Sequence, residues 1–485
     1  MKQLLVLALM ASTTYSFAQK VAKPDAYAKT ITAADAKKHL YILASAEMEG
    51  RETGTEGQRK AAAYIENYFQ QIGLQPGTSN GYQQYYKLFQ DSLLSAAVEV
   101  NGKAFELDKD FAPSGSNIQA TLRLSEVVVL GAKATDSLAG ADLAGRMVMI
   151  VGTANPALYN QLAKKGPAAI LTVTNFPQTR PTNRRGRQGI YSFRTNVTPQ
   201  QFFISENVAQ AIAGTAYDAV KVNNNAVQLA KAEVLLETKK AASHLPASNV
   251  VGVLPGTDLK DEYVVISAHY DHVGIINGQI HYGADDDGSG TVGVMEIAEA
   301  FVKAKKEGKG PRRTIVFLAV SGEEKGLLGS EYYSNHPLFP MEKTTVNLNI
   351  DMIGRSDPDR KNGDSTNYVY VVGDDKVSSD LKPISEGQNK KYTKLELDYK
   401  YNDPNDPNRI YYRSDHYNFA KNGVPIIFYY DGMLRPDYHR PTDTPDKVNY
   451  ELLRKRAQLV FYTAWEMANR SDMLKRDRPL PIAGR

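Results

Sequence analysis

Metal-ligating side chains recur in this chain at the ends of apolar runs. His269-Tyr270-Asp271 follows Y-V-V-I-S-A (263–268), Glu323-Glu324 follows T-I-V-F-L-A-V (314–320) after a Ser-Gly pair, and Asp351 closes V-N-L-N-I (346–350). The glycine-rich G-A-D-D-D-G-S-G (283–290) adds three consecutive aspartates, and Tyr438-His439 lies in a loop after P-I-I-F-Y-Y (425–430). Taken singly, each has an ordinary reading. An acidic turn caps a helix, and a histidine near a strand is usually a satisfied polar group, the expectation for His272, His281, His336 and His416. Taken together they are costly. Asp286, Glu324 and Asp351 packed at one place would repel and raise one another's pKa. Two divalent cations sharing a hydroxide would neutralise them, and imidazole with carboxylate suits zinc. Two such ions clamp an attacking water. Neighbouring side chains leave the backbone in different directions, so of Glu323 and Glu324 one can ligate and the other can act as general base. Asp271, two residues from His269, can hold the imidazole's second nitrogen.

These groups need a scaffold that brings strand ends to one rim. The four runs are near-continuously apolar and alternate with helix patterns such as 292–304, which predicts a mostly parallel sheet buried on both faces. Ligands of such sheets bind outside the carboxyl ends of the strands. Upstream, Thr32-x-x-Asp35 opens a helix like a capping box. A second amphipathic run, 58–72, stops at Gly73, and the polar loop M-E-G-R-E-T-G-T-E-G lies between the two. Residues 114–240 read as a β-rich insert with one short helix at 160–165. A terminal amphipathic helix spans 450–469. The main α/β domain is thus expected at 19–113 and 241–485, interrupted at 114–240.

Bulk composition excludes other classes. The 485 residues are 42% apolar and 23% charged, with 58 Lys+Arg against 54 Asp+Glu, so the chain is globular and its net charge of +4 is no nucleic-acid footprint. The basic cluster Arg184-Arg185-Gly186-Arg187 is expected to be a solvated loop. Lys2, the apolar run from Leu4 to Ala11 and Ser16-Phe17-Ala18 predict an export signal over residues 1–18. No later segment is apolar enough to span a bilayer, so a periplasmic or secreted protein is expected. With no cysteine, disulfides, thiolate catalysis and Cys-ligated metal are excluded.

The motifs H-Y-D-H-V-G, G-A-D-D-D-G-S-G, V-S-G-E-E-K-G-L-L-G-S-E-Y-Y, N-I-D-M-I-G-R, R-S-D-H and Y-H-R-P-T-D-T resemble the co-catalytic dizinc aminopeptidases of the glutamate carboxypeptidase II and aminopeptidase Y type. The resemblance implies an α/β fold of the zinc aminopeptidase, phosphorylase/hydrolase-like kind, with helices on both faces of a mostly parallel mixed sheet. It likens the insert to a protease-associated (PA) domain, through A-G-R-M-V-M-I-V-G and K-K-G-P-A-A-I-L-T-V. It implies two zinc ions, with Asp286 bridging, His269 and Asp351 completing one site and Glu324 and His439 the other. It makes Glu323 the general base, Asp271 the partner of His269, and Tyr438 a stabiliser of the oxyanion. The implied reaction is removal of N-terminal residues from peptides with a free amine, by attack of the bridging hydroxide. A carboxypeptidase or dipeptidase on this fold would need a basic pocket, for which Arg355, Arg409, Arg413 and Arg435 are the candidates. An inactive binding protein would show a broken ligand set.

Overall fold

The computed structural model describes residues 23–479 apart from 136, 137, 139, 177–184 and 191–197, with the backbone alone for 185–187. The export signal expected at 1–18 lies outside the described residues. The four apolar runs form strands Leu259–His269, Arg313–Val320, Thr344–Ile350 and Ile426–Tyr430. They pair in parallel, with the strand ending at His269 between those ending at Val320 and Ile350. Alternate residues face opposite ways. Val264, Ile266, Ile315, Phe317, Leu348 and Ile427 join a core with the helices Glu56–Ile72, Gly290–Lys306 and Tyr450–Asn469. Val265, Val316, Leu318, Ile426 and Phe428 pack on the other side with Tyr333 and Phe419. Each fully buried aliphatic or aromatic side chain contributes about 1.5–3 kcal/mol. The mixed α/β sheet is therefore buried on both faces, as its apolar runs require.

Local signals act where the sequence puts them. Thr32 caps helix Ala33–Leu43 by accepting the Asp35 N–H. Gly73, at φ +98°, ends the helix Glu56–Ile72 in the left-handed region that glycine tolerates. A buried polar contact ties two neighbouring strands: Ser267 donates to Asn349 and accepts from Asn347.

Strand Tyr368–Val372 runs antiparallel to Ile426–Tyr430 at the sheet edge, and Glu396–Asp398 pairs with it in parallel. At the other side the sheet continues through one 28-residue strand, Val227–Leu254. Its last residues pair with Ile315–Ala319, its middle with Gln83–Val100, and its start with Ala120–Gly131. There the strands Ala120–Gly131, Met147–Val151, Ala169–Val173 and Gln200–Ile204 run parallel and enclose a second core with Val208, Ile212, Tyr217 and Val220. This region carries more helix than expected. The short helix is Pro156–Lys164, capped by Asn155, and Glu206–Ala213 and Thr215–Val222 add two more. Within the basic cluster, Arg184 lies outside the described residues, and the loop expected for 185–187 is corrected. Arg185–Gly189 is a strand paired with residues 89–92, because the edge of Gln83–Val100 offers free ladder groups there.

Candidate metal centre

Parallel register brings the strand ends into line. His269 lies opposite Val320, and Ser267 opposite Asn349. His269, Glu323 and Asp351 therefore emerge at one rim, and the 283–290 loop folds over them before opening the helix Gly290–Lys306. Gly283 must be glycine. Its φ is +55°, and a Cβ would sit 2.4 Å from the Asp286 carbonyl oxygen and 2.5 Å from the His272 ring. His439 arrives from the loop after Tyr430 with φ +53°, an uncommon backbone for a residue with a side chain.

The structure brings His269, Asp286, Glu323, Glu324, Asp351 and His439 around one centre. His269 Nε2 lies 3.3 Å from Asp286 Oδ1, 3.5 Å from Asp351 Oδ1 and 4.0 Å from Glu323 Oε2. On the other side of the same carboxylate, Asp286 Oδ2 lies 3.1 Å from His439 Nε2, which is itself 3.0 Å from Glu324 Oε2. Asp286 thus offers one oxygen to each of two donor groups.

Its neighbours are spent on the backbone. Asp287 accepts N–H bonds from Gly290 and Met352 on one oxygen and from His269 on the other. Asp285 Oδ1 accepts from Gly354 N–H and the Ser289 hydroxyl. Asp443 accepts the N–H groups of Asp285 and Asp286, so a distant loop fixes the aspartate run. Asp271 accepts the Glu323 N–H at 3.2 Å and stands 3.7 Å from His269 Nδ1. The aligned bond of that ring nitrogen goes to the Asp271 backbone carbonyl, at 3.1 Å. Asp271 therefore orients the imidazole chiefly through its main chain.

The donor set suits a cation. His269 Nε2, Asp286 Oδ2, Glu324 Oε1 and both ring nitrogens of His272 are buried without a hydrogen-bond partner, a costly state for protein atoms that no ligand is meant to meet. Protons substitute for the cation in the metal-free protein. Burial disfavours the charged His269 ring, yet Asp351 and Glu323 outweigh it and hold the imidazolium well above its ordinary pKa. Burial likewise opposes a charged His439, and contacts with Asp286 and Glu324 nonetheless raise it to about 10. Burial would raise Asp286, but His269 and His439 hold it well below the carboxylate range. Glu323 goes the other way. Burial first, then Glu324 and Asp351, push it well above its usual value against the pull of His269. Burial and Asp286 would raise Glu324, but His272 and His439 hold it below its usual value, so the two adjacent glutamates have opposite environments.

A cleft opens beside this centre, lined by His269, Asp286, Glu323 and Asp351 on its polar side and by Met352, Ile410, Phe428, Tyr430 and Leu434 on its apolar side. Tyr438 and Arg413 stand at the cleft, the guanidinium donating to the Tyr438 hydroxyl at 3.2 Å. Tyr438 stacks on His439, ring centroids 3.9 Å apart. Of the other arginines singled out, Arg355 pairs with Asp437 and Arg409 lies over Tyr412, and neither lines this cleft, nor does Arg435.

Sequence reasoning missed three contributors. His272, expected to be a satisfied polar group, is corrected: its Nδ1 lies 2.8 Å from Glu324 Oε1 without hydrogen-bond alignment, because the turn after His269 folds it back under the metal-type carboxylates. H-Y-D-H was the available signal. His281 and His336 each meet a backbone carbonyl, as expected, and His416 does so through Nε2 while its Nδ1 is buried without a hydrogen-bond partner. Arg51 and Thr53, from the polar M-E-G-R-E-T-G loop, also reach the centre. Arg51 donates to the carbonyls of Leu43, Tyr270, Tyr282 and Gly283, and Thr53 donates to Asp271.

Residues 249–464 match the family described as Peptidase family M28. A probable leucine aminopeptidase from Arthroderma otae is 32% identical over 251 residues, 50% of this chain and 62% of that protein. This chain spans about six-tenths of the length of the curated relatives it matches. Among solved structures, an aminopeptidase from Aneurinibacillus sp. strain AM-1 superposes with a TM-score of 0.59 at 19% identity, covering 95% of this chain and 100% of that one. BSAP, a zinc aminopeptidase from Bacillus subtilis, gives 0.53 at 20% identity, covering 93% and 98%. At these identities the structural likeness speaks for the fold.

Proposed function

We propose that this chain, whose residues 249–464 match Peptidase family M28, is an exported zinc aminopeptidase with a dinuclear site, which releases N-terminal residues from peptides with a free amine. The observation that carries this reading is the two-sided Asp286 carboxylate, with His269 3.3 Å from one oxygen and His439 3.1 Å from the other. In it, Asp286, His269, Asp351, Glu324 and His439 would hold the zinc ions, His269 and Asp351 on one side of Asp286 and Glu324 and His439 on the other. When bound, the ions would supply polarisation of the scissile carbonyl and a nucleophile at neutral pH.

The chain's own groups do the rest. Glu323 Oε2, close to His269 and facing the cleft, takes a proton from the attacking water and returns it to the leaving amine. Tyr438 already accepts from Arg413, so its hydroxyl hydrogen is free to donate to the developing oxyanion. The acidic wall attracts a protonated α-amine, and Met352, Ile410, Phe428 and Leu434 suit an apolar N-terminal side chain. We read the second core, around Val127–Val220, as the PA-like insert beside the peptidase domain. Among the described residues, Arg413 is the arginine lining the cleft that would serve a carboxypeptidase instead. A panel of aminoacyl chromogenic amides with N-acetylated controls, assayed before and after a chelator, separates the two. Cleavage of the free amines alone, abolished by chelation, is expected. Equal cleavage of blocked substrates would overturn the aminopeptidase reading.

A further inference from the structure

The loop Gly50–Thr53, more than two hundred residues upstream of His269, lies against the turn that follows that histidine. Gly50 and Arg51 accept the Gly274 and His272 N–H groups, Glu52 pairs with His272 as a short parallel bridge, and its carboxylate meets Lys325 at 2.9 Å. Thr53 stands at the crossing point. Its hydroxyl, in a residue 1% exposed, donates to Asp271 Oδ2 at 2.7 Å and accepts the Gly322 N–H at 2.9 Å. Asp271 carries the carbonyl that holds His269 Nδ1, and Gly322, at φ +75°, immediately precedes Glu323. One hydroxyl therefore joins the segment that orients the His269 ring to the turn that presents Glu323 and Glu324.

We infer that Thr53 is a positioning residue, whose hydroxyl sets the spacing between the His269 imidazole and the Glu323–Glu324 pair. This rests on the metallopeptidase reading. Thr and Val have the same shape, so Thr53→Val removes the hydroxyl and leaves a buried carboxylate oxygen and a buried N–H unpaired, with no new volume to accommodate. Thr53→Ser keeps the hydroxyl.

The test uses the full chain in two arms. Competition against a fluorescent zinc chelator needs no turnover, and steady-state kinetics on a free aminoacyl amide separates kcat from KM. Thr53→Val is expected to lose about tenfold in zinc affinity and about tenfold in kcat, at the low end for removing an outer partner of a ligand. KM should stay near the wild-type value, and Thr53→Ser should recover both losses. A general loss of fold is told apart by circular dichroism and the urea midpoint, by which Thr53→Val should remain fully folded under the assay conditions. Should Thr53→Val not fold, Thr53→Ala is read in the same arms. Wild-type zinc affinity in the hydroxyl-free variant, or equal impairment in Thr53→Ser and Thr53→Val, would overturn the inference. If the wild-type protein binds zinc but cleaves no amide, the aminopeptidase reading fails, and the zinc arm still decides for or against Thr53.

Discussion

Zinc binding to the metal-free protein should expel protons from the histidines, and the amount follows from the geometry. His439 Nε2 sits 3.1 Å from Asp286 Oδ2 and 3.0 Å from Glu324 Oε2, which holds its pKa at about 10. An imidazolium cannot ligate, so a proton must leave before Nε2 accepts the ion. The sign is that of a raised histidine: charged below its pKa, neutral above. At pH 7.5 His439 is therefore predominantly charged, and neutralising it opposes zinc binding, by less than a fully buried ring would because its side chain is 37% exposed. Affinity should therefore climb about tenfold per pH unit from this residue until the pH nears 10. His269, raised by Asp351 and Glu323, adds in the same direction. Calorimetric titration of zinc into metal-free protein at pH 7.5, in buffers of different ionisation enthalpy, counts the protons. Wild type should release at least one proton more per chain than His439→Gln. Equal release by the two proteins would refute the argument, because His439 would then be neutral before the ion arrives or remote from it.

Three further predictions concern roles and packing. Glu323→Gln should keep wild-type zinc content by elemental analysis while kcat falls roughly 10²–10⁴-fold; unchanged turnover would remove it as the base. Asp286→Asn leaves both donor groups without their shared anion, so it should lose zinc on dialysis, and normal metal content would count against bridging. Phe301 is fully buried among Phe317, Phe461 and Trp465. Phe301→Ala should cost about 3–5 kcal/mol in urea unfolding, and a loss under 1 kcal/mol would mean that this core closes around the gap.

What the sequence disclosed follows from which interactions are local. The four parallel strands were legible because burial on both faces writes an unbroken apolar run, and helix ends because Thr32 and Gly73 act on their own backbone. The grouping of His269, Glu323 and Asp351 was legible because strand ends in a parallel sheet share a rim. Val227–Leu254 was not legible as one strand. Its centre, T-K-K-A-A-S-H, crosses between two cores and is largely exposed. Tyr368–Val372 was missed because its partners lie well downstream, at Glu396–Asp398 and Ile426–Tyr430. Arg51 and Thr53 escaped because their work is done on backbone carbonyls, a carboxylate and a backbone N–H that only the folded chain brings within reach. His272 was underweighted, since one histidine beside another reads as redundancy until its contact with Glu324 is known.

The long strand Val227–Leu254 also limits how the second core can move. Most appended modules hang from a tether and swing. This one is spliced into the sheet: the strand that leaves it ends hydrogen-bonded to Ile315–Ala319, just short of the turn carrying Glu323 and Glu324. A torque on the outer module reaches that turn as ribbon twist rather than as hinge rotation, and a truncation made at residue 240 would unseat the Glu323–Glu324 turn along with the module.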